Sequence, residues 1–201
     1  MVGNFRNNFY RLATALLEEA DALQNLLAAK ARLDPKMDSL RLQTDSINKE
    51  ILMKRTRAKE VMDYMRKTIS DEAVPTEPYF LMLEANVYLN LNEREIARSL
   101  LEKAIYRATE SLDFIKAYKG EVDPNDFDLL ALRFSLQLLG DHGFDDLFAY
   151  TVGKLKTYLT DPAFQSALDA LLRQLELRKK TLPNKNDSTA LQTDTLSSHN
   201  Q

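Results

Sequence analysis

Residues 40–65 read LRLQTDSINKEILMKRTRAKEVMDYM, and within them Leu40, Thr44, Ile47, Ile51, Lys54, Ala58, Val61 and Met65 recur in alternating steps of four and three. Such steps keep one residue per turn on a single face of an α-helix, so this stretch is predicted to be a helix with a heptad seam. Thr44 and Lys54 weaken the apolar seam, which predicts that the helix packs against something wider than a single partner helix. Upstream, Phe9, Leu12, Leu16, Ala20, Leu23, Leu27 and Ala31 mark one face of an earlier helix running from about Phe5 to Leu33. Asp34 and Pro35 lie between the two, the first suited to capping and the second to opening a helix that is expected to reach Ile69. Two helices of roughly 30 residues joined so tightly predict an antiparallel hairpin, each arm about 45–50 Å long at 1.5 Å rise per residue.

The rest of the chain continues the helical pattern. There are only five glycines, with none between Gly3 and Gly120, and each of the six prolines sits where an apolar period stops or restarts. Runs of alternating Val, Ile and Thr are absent, so the fold class is all-α. After a linker at 71–78, helices are expected at about 76–91 and 93–118, broken at Asn90-Leu91-Asn92. A further helix opened by Asp123-Pro124 should run to about Leu139, and the turn Gly140–Gly143 should lead into another reaching Leu159. Asp161-Pro162 opens a last helix to about Lys180, and the polar stretch 181–201 is expected to be a disordered tail. The organisation predicted is a hairpin or coiled-coil-like region over 1–70, a helical array over 71–180 and the tail.

The 201 residues include 44% hydrophobic and 28% charged side chains, with a net charge of −3. That balance supports a folded core and argues against a polycation that wraps nucleic acid. Cysteine is absent, which excludes disulfides, thiolate metal sites and Cys nucleophiles. The opening stretch has no long apolar core with a cleavage site, and no window approaches 18 uninterrupted apolar residues. A cytoplasmic protein with no membrane partner is therefore expected. Charge is unevenly spread: residues 1–69 carry 13 Lys+Arg against 9 Asp+Glu, and residues 70–160 carry 9 against 16. Opposite fields of this kind favour head-to-tail self-association or two different partners.

The segment Pro78–Ile105, PYFLMLEANVYLNLNEREIARSLLEKAI, resembles a tetratricopeptide repeat. Ala85 takes the small position of the first helix and Tyr88 the aromatic one. Ala97 takes the small position where the second helix crosses, with Leu101 and Ala104 completing the spacing. Leu81 and Glu84 stand where the family carries tryptophan and leucine. One repeat near residues 78–109 and a second, degenerate one around Leu139-Gly140-Asp141 make up the similarity. The resemblance implies a helical binding scaffold whose ligand groove lies on the first helix of the repeat, here the stripe Met82, Asn86 and Asn90.

The sequence carries no recognisable catalytic or cofactor signature. There is no Gly-rich phosphate loop, and His142 lies in Asp141-His-Gly-Phe-Asp-Asp146, which reads as a turn with capping aspartates rather than a metal loop or a general-base site. The basic run Lys54–Lys59 spreads around a helix without interleaved aromatics, so it reads as a solvated flank rather than a nucleic-acid contact. Tyr106, Phe114, Tyr118, Phe127, Phe134, Phe144, Phe148, Tyr150 and Tyr158 are expected mostly to pack between successive helices. The function expected is a non-enzymatic adaptor or small chaperone that holds a partner protein through a helical groove, the hairpin serving dimerisation or docking. The alternatives are a structural subunit of a larger assembly and a nucleic-acid-associated factor using the basic hairpin.

Overall fold

The structure, a computed structural model, describes residues 2–33 and 39–181, with side-chain surroundings defined over 5–32 and 43–178. Among the described residues all regular structure is helical: α1 (Val2–Leu33), α2 (Ser39–Thr68), α3 (Pro78–Asn90), α4 (Arg94–Lys119), α5 (Phe127–Asp141), α6 (Asp145–Tyr158) and α7 (Pro162–Thr181). The Asp34-Pro35 junction, the side chain of Leu40 and the tail from residue 182 lie outside the described residues.

α1 and α2 form the antiparallel hairpin. Arg6 reaches the Ile69 carbonyl at 3.1 Å, Phe9 faces Tyr64 with ring centroids 6.0 Å apart, and Lys54 reaches Glu19 at 2.6 Å, so pairing runs in opposite directions along the two helices. On α2 Ala58 and Met65 of the predicted seam are buried and Thr44, Ile47, Ile51, Lys54 and Val61 are half-buried, while Met62, outside that stripe, is fully buried beside Val61. On α1 the seam is turned relative to the expected face. Ala13 and Leu17 join Ala20 in the interior, while Leu12 and Ala31 are exposed. Small residues at the contact let the helix backbones approach, and Ala13 and Ala20 flank Leu17 on that line. The Lys54 interruption finds its partner inside the hairpin, because Glu19 of α1 and Glu50 of α2 both face it.

α3 is the centre of the remaining helices. It packs against α1, α4 and α5, while α4 also meets α5 and α6, and α5 meets α6. Pro78 supplies the first residue of α3, where a missing N–H costs nothing. The break before α4 is where expected: Asn92 adopts a left-handed conformation with φ of 62°, and the Glu93 N–H bonds to the Tyr88 carbonyl at 2.8 Å. Gly120 ends α4 at φ of 81°, a conformation that a side chain would strain. α5 begins later than Asp123-Pro124 suggested. Asp123 folds a turn by accepting from the Asn125 N–H, and Asp126 is the cap, accepting from the Asp128 N–H at 2.9 Å.

Asp161 accepts from the Ala163 and Phe164 N–H groups at the head of α7, as its sequence predicts. Residues Met1–Leu159 form one compact unit and residues from Thr160 on a second. The boundary expected near residue 70 falls within the first, where side chains of α1 and α4 hold the connecting segment. Among the described residues no helix is long and apolar enough to cross a membrane.

Candidate functional site

The α3–α4 pair carries both the packing residues of the predicted repeat and the predicted groove stripe. Ala85, Tyr88, Ala97, Leu101 and Ala104 are all buried. Tyr88 Oη donates to Asp63 of α2 at 2.7 Å, and Arg66 lies over its ring at 5.6 Å, so this phenol also ties the pair to the hairpin. Burial and the neighbouring Asp63 carboxylate push the Tyr88 hydroxyl well above its ordinary pKa.

The predicted groove stripe does not stay together. Met82 is only 6% exposed, Asn86 is half-buried and Asn90 is exposed. α3 has neighbours on three sides, so a stripe that would be open on a two-sided helix is covered at its Met82 end. Met82 is a core residue, and only Asn86 and Asn90 of the three retain a surface.

Two edges of the pair are open instead. The first lies where the start of α3, the middle of α4 and the start of α5 meet. Tyr79, Phe80, Arg107, Ser111, Phe127 and Asp128 line a cavity of about 570 Å³ there. Phe127 is 79% exposed, and on α4 Phe114 and Tyr118 follow one and two turns beyond Ser111, 72% and 82% exposed. Their rings stack with centroids 6.4 Å apart and planes 3° from parallel. Burial raises the Asp128 carboxyl above its ordinary pKa, with Asp126 and Glu77 adding to the effect. Tyr106, Phe134 and Tyr150 are exposed as well, whereas Phe144, Phe148 and Tyr158 are buried, so the expectation that most of these aromatics pack between helices is corrected. The signal was available in the spacing: Phe114 lies two residues from Leu112, on the opposite side of α4 from the Ala104, Ala108 and Leu112 stripe.

The second edge faces the hairpin. Asp71 of the connecting segment accepts from both Arg107 nitrogens at 2.7 Å, from the Thr76 N–H at 2.7 Å, and pairs with Lys103. Burial opposes ionisation of Asp71, but Arg107, Lys103 and the Thr76 N–H outweigh it and hold the carboxyl far below the usual range. Arg6, buried on α1, donates to the carbonyls of Ile69 and Val74 from the other side. Between these fastenings opens a cavity of about 480 Å³, with Glu84 of α3 in its lining. Glu84 was visible in the sequence only as a charge where the repeat pattern carries leucine. Arg6 was visible only as a charge seven residues ahead of Ala13 on the seam.

A further apolar hollow of about 700 Å³ lies on the hairpin, lined by Leu16, Leu52 and Met53 with Lys49 and Arg57 beside them. Among the described residues no group of three or more His, Asp or Glu side chains is placed to hold a metal ion. Comparison with protein-family models, with curated proteins and with solved structures finds no match.

Proposed function

We propose that this chain is a non-enzymatic adaptor that holds a partner protein through the aromatic edge of α3, α4 and α5. The exposure of Phe114, Tyr118 and Phe127 carries the proposal. Leaving three large rings in water forfeits burial worth roughly 25 cal/mol per Å² of apolar surface, and aromatic anchors of this kind are what protein interfaces bury at their centres. The adjoining cavity supplies depth, and Asp128 and Glu77 at its margin give the contact polar boundaries. The hairpin, with Leu52 and Met53 exposed beside basic residues, provides a second face for docking or for dimerisation.

The test is a comparison of affinity captures by the full chain and by a Phe114→Ser, Tyr118→Ser, Phe127→Ser variant. All three side chains are exposed, so the variant should keep the parent's circular dichroism and melting curve. The parent should retain a stoichiometric protein through nuclease treatment and about 0.5 M salt, where screening acts within about 4–5 Å, and the variant should lose it. Equal capture by both proteins would remove the aromatic edge from the reading. Loss of all binding on nuclease or salt treatment would shift it to the basic hairpin and nucleic acid.

A further inference from the structure

Glu84 is 6% exposed, and its carboxylate has no hydrogen-bond or ion-pair partner among the described residues. Glu84 lines a cavity, so its carboxylate is not sealed inside packed protein, and its burial disfavours the charge unless a donor enters that cavity. The cations around it are committed elsewhere. Arg6 on α1 is bound to the Ile69 and Val74 carbonyls, Lys103 on α4 to Asp71, and Arg66 on α2 is held over the Tyr88 ring. Asp63 and Asp71 are carboxylates paired with Lys59 and Arg107, so neither has a proton to donate to Glu84. Lys67 and Glu72 complete the charged lining from α2 and the connecting segment, and Ser99 adds a hydroxyl. The cavity volume, about 480 Å³, lies within the range of small-ligand pockets.

We propose that this cavity binds an organic cation, a primary ammonium or guanidinium group, with Glu84 as its counter-ion. An entering cation would supply the donors that the chain itself does not, and the Ser99 hydroxyl would accept a further hydrogen bond from it. An anion would meet the Glu84 and Asp71 carboxylates, and of the lining cations Arg66 is held over the Tyr88 ring and Lys103 on Asp71, which leaves Lys67. Burial lifts the Glu84 carboxyl to about 7, with Arg66 and Arg6 opposing and Asp71 adding to the rise, so occupancy by a cation should strengthen as pH climbs past neutrality. The cation has two sources, a free amine or a Lys or Arg side chain of a partner protein. Neither depends on the aromatic edge.

The experiment is calorimetric titration of the full chain with 1,4-diaminobutane and, separately, with a blocked Ala-Lys-Ala peptide. Each titration is run at about pH 8 and about pH 5.5, on the parent and on Glu84→Gln, with inorganic phosphate as the contrasting probe. The expected result is binding of a cation at the higher pH that weakens about tenfold or more at the lower pH and in Glu84→Gln. Lys67→Gln, which removes a like charge from the exposed lining, should tighten that binding. Binding of diaminobutane supports a free amine as the source, and binding of the peptide alone supports a partner's side chain. Equal binding by the parent and Glu84→Gln, no binding of either cation, or phosphate binding that Lys67→Gln weakens would each overturn the proposal.

Discussion

The hairpin and the α3–α6 layer are both built from amphipathic helices, yet they bury their residues very differently. In the far arm of the hairpin, residues 21–32 and 43–57, no residue is fully buried, and the seam of Leu23, Leu27, Thr44, Ile47 and Ile51 is only half covered. The near end, where α1 meets α3, holds Ala13, Leu17, Ala20, Ala58, Met62 and Met65 in the interior. In α3 almost the whole circumference is covered, from Leu81 and Met82 to Tyr88 and Leu89. Two helices alone can each shield one stripe of the other; a helix with neighbours on three sides has no stripe left over. The number of neighbours, more than the hydrophobicity of a helix, sets how far its seam leaves water.

The largest test of that contrast is a pair of substitutions. Ala97→Arg places a charge at a fully buried position of α4 and should cost about 4 kcal/mol or more, seen as loss of cooperative melting by circular dichroism. Ile51→Ala in the half-covered hairpin seam should cost only about 1 kcal/mol in urea unfolding. Equal costs would erase the distinction, and an unchanged melting curve for Ala97→Arg would mean that Ala97 is not buried between packed helices as described.

Glu84 gives the next largest effect, where layer and hairpin meet. Its folded-state carboxyl lies at about 7, above the ordinary value of 4.5, so the unfolded chain gives up this proton first as pH rises. The contribution to stability is full below the unfolded value, declines across that window and is lost above the folded value. In Glu84→Gln that slope should vanish, leaving the variant about 3 kcal/mol more stable than the parent near pH 8 and close to it near pH 4. Urea unfolding at the two pH values decides it, and parallel pH profiles would show that Glu84 is not buried as a carboxyl.

The smallest effect belongs to the hairpin. Lys54 and Glu19 form a pair at the seam margin, largely open to water on the glutamate side. Such pairs add little, so Lys54→Leu should leave the urea midpoint unmoved or raise it. A marked fall would show that the far arm depends on charge pairing rather than on its apolar seam.

Much of the fold was legible in the residues themselves. The heptad steps from Thr44 to Met65 give α2 and most of its covered face, Asp161-Pro162 gives the start of α7, and Asn90-Leu91-Asn92 gives the break before α4, since each depends only on neighbours along the chain. The start of α5 was misplaced because two aspartates three residues apart, Asp123 and Asp126, both have capping chemistry, and only the backbone path chooses between them. The stripe of Met82, Asn86 and Asn90 was legible as a helix face, but not its fate.

Sequence alone determined that this chain is helical and that it carries a long N-terminal hairpin, because local periodicity carries that information. The tertiary structure alone decided which faces meet water. It covered Met82, exposed Phe114, Tyr118 and Phe127, and set Glu84 into the lining of a cavity. Exposure is a property of what the other helices leave uncovered, and that depends on contacts between residues far apart in the chain.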